Sequence, residues 1–184
     1  MLILASASPR RIKLLKDTGL EFKVIPSNID ETIERGWTPE ETVRRLASQK
    51  AMAVAMDHPD DTVIGADTIV VLGNEILGKP SDKEDAIRML KNLSGRTHVV
   101  HTGVAIVKNG NADVFNTRAD VTMRVLTELE IRKYVESGEP MDKAGAYAIQ
   151  GEGASLVEGY DGDFFTIVGL PLKTLLKHLD MIGS

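Results

Sequence analysis

The sequence predicts an α/β fold: a mixed sheet with flanking helices, in one domain spanning residues 1–184. Two observations predict it. Runs of apolar and β-branched residues recur at Leu2–Ala5, Phe22–Ile25, Thr62–Leu72, Thr97–Val107 and Ala112–Arg124, which is how strands read. Segments opened by helix-capping signals separate most of these runs, and a chain that alternates in this way packs helices against a sheet. Hydrophobic residues make up 42% of the 184, enough core for one domain of ordinary size or two small lobes.

Taken in order, Leu2–Ala5 is a short strand. Ser8 is a good N-cap and Pro9 suits the first helical position, so a helix runs to about Thr18, with Ile12, Leu14 and Leu15 on its apolar side and Gly19 as its stop. Phe22–Ile25 is a second strand, ended by Pro26-Ser27-Asn28. Thr38-Pro39-Glu40-Glu41 is a capping box. The helix it opens places Val43, Leu46, Ala47, Ala51, Val54 and Ala55 on one stripe. Thr62–Leu72 reads as a buried strand interrupted by Asp67, and a strand ending at Gly65 would deliver that aspartate to a cleft. Gly73-Asn74 then turns the chain.

Ser81-Asp82-Lys83-Glu84 is a second capping box, with Ser81 as the cap, for a helix to about Leu93. Asn109-Gly110 joins the two long β-rich runs as a hairpin turn. Thr127-Glu128-Leu129-Glu130 is a third capping box, and its helix ends near Ser137-Gly138. Met141–Gly151 is polar and glycine-spaced rather than core-like. Tyr160–Asp163 reads as a turn, Phe164–Val168 as a last strand, and Leu172–Leu179 as a final amphipathic helix.

The bulk composition excludes several function classes. A formal net charge of -5 argues against a general nucleic-acid or anionic-membrane binder, while leaving room for a local basic pocket around a small anion. With no cysteine there is no disulfide, thiolate metal site or cysteine nucleophile, and a reducing cytoplasm is the expected setting. One tryptophan, Trp37, and few aromatics overall make a stacking platform for single strands unexpected. No apolar run is long enough to cross a bilayer, and Met1–Ala5 lacks the basic flank and length of a signal peptide. The four histidines are scattered. P-loop, dinucleotide-binding and nucleophile-elbow signatures are absent.

What remains is a set of charges in informative places. A carboxylate inside an apolar run is costly unless it is paired, metal-bound or set in a polar cleft; a turn cap between two strands is the plain alternative for Asp67. Gly65 and Ala66 leave room for a close approach. Arg10 and Arg11 sit in the first helical turn, where cations oppose the helix dipole and free N–H groups favour an anion. Asp30-Glu31 suits either a hard cation or a solvated loop. Lys50 is either a surface lysine or one aimed at a phosphate. Lys79, held between Gly78 and Pro80, is either a turn lysine or a charge placed at low entropic cost. Gln150, between glycine-rich neighbours, is both donor and acceptor and can read a heterocycle edge. Cations gathered around carboxylates suit phosphoryl chemistry.

Five motifs occur in this order: Ser6-Ala7-Ser8-Pro9-Arg10-Arg11, Gly65-Ala66-Asp67-Thr68, Gly78-Lys79-Pro80, Leu93-Ser94-Gly95-Arg96-Thr97-His98 and Asp142-Lys143-Ala144-Gly145-Ala146-Tyr147-Ala148-Ile149-Gln150-Gly151. Together they resemble the Maf family of nucleoside triphosphate pyrophosphatases, historically named as septum formation inhibitors. The resemblance spans nearly the whole chain. It implies an elongated α/β fold with two lobes around a central cleft, related to the inosine triphosphatases (Maf/Ham1). It also implies a homodimer, a cytoplasmic location, a divalent metal (Mg²⁺ or Mn²⁺), and a nucleoside triphosphate partner rather than nucleic acid or membrane.

Carried over by position, Asp67 matches the family's proton acceptor. Ser6, Arg11, Glu31, Lys50 and Lys79 match phosphate- and metal-handling positions, with Glu31 and Asp67 as the metal ligands. Arg10, Thr68 and Gln150 match the positions that separate substrate branches, and they read as in the branch acting on dTTP and UTP rather than on 7-methyl-GTP. Asn28-Ile29-Asp30 falls where family members vary, which leaves the division of labour between Asp30 and Glu31 open. The implied products are the nucleoside monophosphate and pyrophosphate, in a house-cleaning role with a link to cell-division arrest. The alternative is a non-catalytic nucleotide-binding regulator of septum formation, which needs the anion pocket but no metal-holding carboxylates.

Overall fold

A computed structural model describes residues 1–183, in which a seven-stranded mixed sheet is flanked by helices. The elements run β1 (Leu2–Leu4), α1 (Pro9–Asp17), β2 (Lys23–Val24), α2 (Pro39–Ala55), β3 (Thr62–Leu72), β4 (Glu75–Leu77), α3 (Lys83–Leu93), β5 (Thr97–Lys108), β6 (Asn111–Met123), α4 (Glu128–Glu136), β7 (Val157–Gly162), α5 (Phe164–Val168) and α6 (Leu172–Gly183). Strand order is β2-β1-β3-β5-β6-β7, with β4 on β3. β1 is parallel to β2 and β3, with Ile3 opposite both Lys23 and Val63. β4 and β7 are antiparallel to their partners, with Val71 opposite Ile76 and Val121 opposite Tyr160. The chain forms two compact units: Met1–Thr68 with Thr102–Thr117 and the segment from Gly169, and Ile69–His101 with Arg118–Val168.

The first unit packs Ile3, Ala5, Ala47, Ala51, Val54, Val63, Ala105 and Val107 into one core. Its helix α2 lies directly on the strands because two positions carry no side chain. A Cβ on Gly65 would collide with the Ala47 carbonyl and Ala51; one on Gly103 would collide with the Val43 carbonyl. Gly65 therefore does not end a strand, contrary to the expectation from sequence. β3 continues through Asp67 to Leu72, and the glycine admits a helix instead. The α2 capping box forms in full, with Thr38 Oγ1 accepting the Glu41 N–H at 3.1 Å and Glu41 accepting the Thr38 N–H at 2.9 Å. Helix α1 is capped by Ser8, with Pro9 in its first turn. The Asn109-Gly110 turn has φ of 51° and 75°, the left-handed pair that a two-residue hairpin favours. The second strand is shorter than Phe22–Ile25, reduced to Lys23–Val24.

The second unit corrects four expectations. Helix α3 is capped by Asp82, whose carboxylate accepts the Asp85 N–H at 2.7 Å. Ser81 instead donates its own N–H and hydroxyl to Asp85. Tyr160–Gly162 belong to strand β7 rather than to a turn. Phe164–Val168 is helix α5, not a strand. Asp163 decides this locally: its carboxylate accepts from the N–H and hydroxyl of Thr166 at 3.2 and 3.1 Å, and an N-terminal cap of this kind outweighs the strand-like composition that follows. Finally, the stretch Met141–Gly151 is not all polar surface. Ala146, Tyr147, Ala148 and Ile149 are buried. The α4 capping box, Thr127 with Glu130, forms as expected.

Candidate active site

In the first unit, three of the expected residues come together on one charge cluster. Lys50 is only 8% exposed and Asp67 only 6%. Lys50 Nζ donates to Asp67 Oδ1 at 2.8 Å and lies 3.0 Å from Glu31 Oε1. The geometry follows from the packing above. Ala47 and Ala51 touch β3 at Gly65, so Lys50, one residue before Ala51 on that helix, reaches the aspartate two residues further along the strand. A buried carboxylate in an apolar strand is thus compensated by a buried ammonium, not by a break in the strand. Lys50 is not a surface lysine.

The pairing is incomplete. Asp67 Oδ2 is buried and has no hydrogen-bond partner among the described residues. A buried acceptor left unmatched costs on the order of 1–3 kcal/mol. Glu31, in the irregular segment between β2 and α2, keeps its carboxylate more than half exposed. Asp30 is exposed.

Arg11 is built in from a second direction. Its Nε donates to the Gly169 carbonyl at 2.8 Å, and one terminal nitrogen donates to Thr68 Oγ1 at 2.9 Å. Thr68 Oγ1 also lies 2.9 Å from the hydroxyl of the buried Thr102 on β5. Burial pushes the Arg11 guanidinium below its ordinary pKa, Arg10 adds to that, and the charges of Asp67 and Glu31 pull it back. It stays a cation, because a guanidinium is not deprotonated in a protein. Two of its five N–H groups are used, which leaves donors for an oxyanion. Ser6 Oγ accepts the Ser8 N–H at 3.2 Å, and Ser8 caps α1. Ser6 and Ser8 thereby shape the turn that carries Arg10 and Arg11 into the first helical turn.

Lys79 and Gln150 belong to the second unit, where both are exposed. Lys79 sits in the bend after β4. Gln150 precedes a 3₁₀ turn, Gly151–Leu156, and its side chain makes no capping bond. Sequence reasoning gave no individual role to Thr102, Gly169, His98 or Tyr147, although His98 and Tyr147 lie within two of the motifs that carry the resemblance. Each acts by a contact far along the chain, so no local spacing announces it. Gly169 has a φ of 122°, one that favours glycine.

Among the described residues, no cluster of three or more histidine, aspartate or glutamate side chains is preassembled for a metal. Two carboxylates, Glu31 and Asp67, converge on Lys50, and one Asp67 oxygen is unpartnered. That donor set fits a hard divalent cation of the kind that takes one or two carboxylates and completes its shell with substrate phosphates and water. No helix among the described residues is long and apolar enough to cross a membrane.

Comparison with known proteins places this geometry in context. The family model described as Maf-like protein matches residues 1–182. A dTTP/UTP pyrophosphatase of Moorella thermoacetica is 52% identical over 184 residues, covering 99% of this chain and 95% of that protein. One of Desulforamulus reducens is 47% identical over 184 residues, covering 99% and 96%. Among solved structures, the Staphylococcus aureus Ham1 protein aligns with 85% of this chain and 79% of its own, at 18% identity and a TM-score of 0.49.

Proposed function

The chain belongs to the Maf family, and on that premise we propose that it is a nucleoside triphosphate pyrophosphatase that hydrolyses dTTP and UTP to the monophosphate and pyrophosphate. The observation that carries the reading is Asp67: a buried carboxylate fixed through Oδ1 by Lys50, with Oδ2 unpartnered. Its relatives bear the name dTTP/UTP pyrophosphatase, and Arg10, Thr68 and Gln150 are the residues proposed to select that substrate branch.

The chemistry asks for a water attacking the α-phosphorus. A bond forms between the water oxygen and that phosphorus, the bridging bond to the β-phosphate breaks, and the electron pair leaves on pyrophosphate. Asp67 Oδ2 orients the water and takes its proton, which then passes to solvent. Lys50 holds the carboxylate in one rotamer, so the acceptor oxygen is positioned before substrate arrives. Arg11 presents its spare donors to phosphate oxygens from a frame set by Thr68 and Gly169. On the second unit, Lys79 is the candidate for phosphate charge and Gln150 the candidate for reading the base. Glu31 would hold Mg²⁺ or Mn²⁺, with Asp67, the other carboxylate expected to bind it, acting on this reading as the base. Bound there, the cation supplies charge neutralisation on the phosphates and lowers the pKa of water.

The test is pyrophosphate release from the purified protein across a panel of nucleoside triphosphates, with Mg²⁺, with Mn²⁺ and with chelator. Metal-dependent release from dTTP and UTP, with little from ATP or 7-methyl-GTP, is the expected result. Release from another base keeps the reaction and overturns the specificity. Nucleotide binding that is indifferent to metal, with no release, overturns the enzyme reading in favour of a non-catalytic regulator.

A further inference from the structure

Gln150 hangs on a segment with almost no regular structure of its own. Lys143–Gly151 passes through one short 3₁₀ turn, Ala144–Ala146, in which Gly145 is left-handed. Beyond the bonds of Lys143 to its neighbours Glu139 and Pro140, three tethers from more distant parts of the second unit hold it. The Gly145 N–H donates to the Gly78 carbonyl at 3.1 Å, which joins the segment to the turn carrying Lys79. The Tyr147 hydroxyl lies 2.6 Å from His98 Nε2 on β5, the two rings packed edge-on with centroids 5.3 Å apart. The Ala148 N–H donates to the Tyr134 hydroxyl of α4 at 3.2 Å.

The backbone between the first two tethers is strained. Ala146, fully buried, has φ of 61°, a left-handed conformation that costs a non-glycine residue about 1–2 kcal/mol. Such a conformation persists only where the surroundings over-determine it. Here the surroundings are specific: a Cβ on Gly145 would sit 3.0 Å from Val70, and one on Gly153 would collide with the Ala148 carbonyl.

His98 is the member of this arrangement that stability alone does not explain. It is 1% exposed, and its Nδ1 has no hydrogen-bond partner among the described residues. Whichever tautomer it adopts, one ring nitrogen binds Tyr147 and the other is buried unmatched. An apolar side chain of similar volume would fill the site without that cost. What it uniquely supplies is the bond to Tyr147. Burial lowers the His98 pKa to about 4, against the opposing pull of Asp120, so the ring is neutral at neutral pH.

We propose that His98 is a positioning residue for base selection: by fixing Tyr147 it fixes the backbone that carries Gln150, and so sets the preference for uracil and thymine over cytosine. This inference rests on the pyrophosphatase reading. The chemistry makes backbone placement decisive. Uracil presents an N–H donor beside a carbonyl acceptor, whereas cytosine presents a ring acceptor beside an amino donor. A carboxamide turned over by 180° matches either pattern. A glutamine on a loose segment can therefore serve both bases, and one on a fixed segment discriminates only as far as its backbone limits the orientation it can present.

The experiment compares kcat and KM for UTP, dTTP and CTP in the full-length wild-type protein and in Tyr147→Phe, His98→Leu and His98→Gln, with a thermal melt of each. Tyr147→Phe keeps the buried ring and removes only the hydroxyl. It is expected to lower the UTP-to-CTP ratio of kcat/KM by about tenfold, mainly through a higher KM for UTP. His98→Leu should do the same, and His98→Gln, whose carbonyl accepts from the phenol, should recover most of the ratio. An unchanged ratio, with both substrates losing activity equally, means that the pair only supports folding and overturns the inference. If wild-type protein turns over no nucleotide, the pyrophosphatase reading falls and the inference falls with it.

Discussion

Lys50 and His98 are both polar, both nearly inaccessible and both bonded to a second buried side chain, yet they are held by opposite means. Lys50 is a cation between two carboxylates, at 2.8 and 3.0 Å. His98 is a neutral ring on a neutral phenol, its charged form disfavoured by burial. Each arrangement leaves one buried atom unmatched, Asp67 Oδ2 in the first and His98 Nδ1 in the second. On the proposed pyrophosphatase reading, the difference follows from what each region would meet. A polyphosphate brings charge, so charges must already be fixed where it arrives, with one acceptor left over for water. A base brings an edge with a donor and acceptor pattern, so the region that carries Gln150 needs placement rather than charge.

The sharpest way to break this comparison is at Asp67. Asp67→Asn keeps the size of the side chain and its contact with Lys50 but removes the proton acceptor. Turnover is expected to fall by about 10³-fold, within the range that a positioned general base supplies, while the melt stays cooperative. Steady-state pyrophosphate release measures it, and a near-normal rate removes Asp67 from the chemistry. Lys50→Met tests the other half of the pair. It leaves the Asp67 carboxylate buried without its counter-charge, which costs about 3–5 kcal/mol of stability, read as a lower denaturant midpoint. The double variant Lys50→Met/Asp67→Asn should recover much of that loss without recovering activity. If the single variant is as stable as wild type, Lys50 does not compensate a buried charge and the contrast with His98 disappears.

How much of this was legible in the sequence depends on the range of the contact. Ser8-Pro9, Thr38 with Glu41 and Thr127 with Glu130 act within three residues, and each starts a helix as read. Where two neighbouring residues offer the same function, local reading fails by one: Asp82, not Ser81, caps α3. Asp163 turns Phe164–Val168 into a helix because a cap acts through geometry that composition does not register. Asp67 was conspicuous as a misplaced charge, but its partner was not. Lys50 reaches it only because Gly65 lets α2 lie against β3, a register that no window on the sequence contains. Thr102, Gly169 and His98 lie 34, 158 and 49 residues from the groups they bind, so local spacing does not reveal their partners, even where a motif marks the stretch, as at His98.

The smallest expected effect sharpens the comparison from the neutral side, through pH. In the folded protein the His98 pKa lies at about 4; its ordinary value is 6.5. Between those values the unfolded chain binds a proton there and the folded chain does not, so acid favours unfolding. The contribution of neutral His98 is complete above pH 6.5 and is lost as pH falls toward 4, amounting to about 3 kcal/mol across the window. The carboxylates held low by ion pairs and caps, such as Asp85 through Ser81 and Arg88, have ordinary values of 4.5 or below, so their loss begins at the acid end, where the His98 effect is nearly spent. Denaturant midpoints measured from pH 7.5 to 4.5 in wild type and His98→Gln separate the two. The glutamine carries no proton to gain, so the difference in stability between the two proteins should shrink or reverse as pH falls. Parallel curves would mean that His98 titrates in the folded protein as it does in the unfolded chain. The ring would then be open to solvent, and a ring open to solvent cannot hold Tyr147 as a fixed support for the segment behind Gln150.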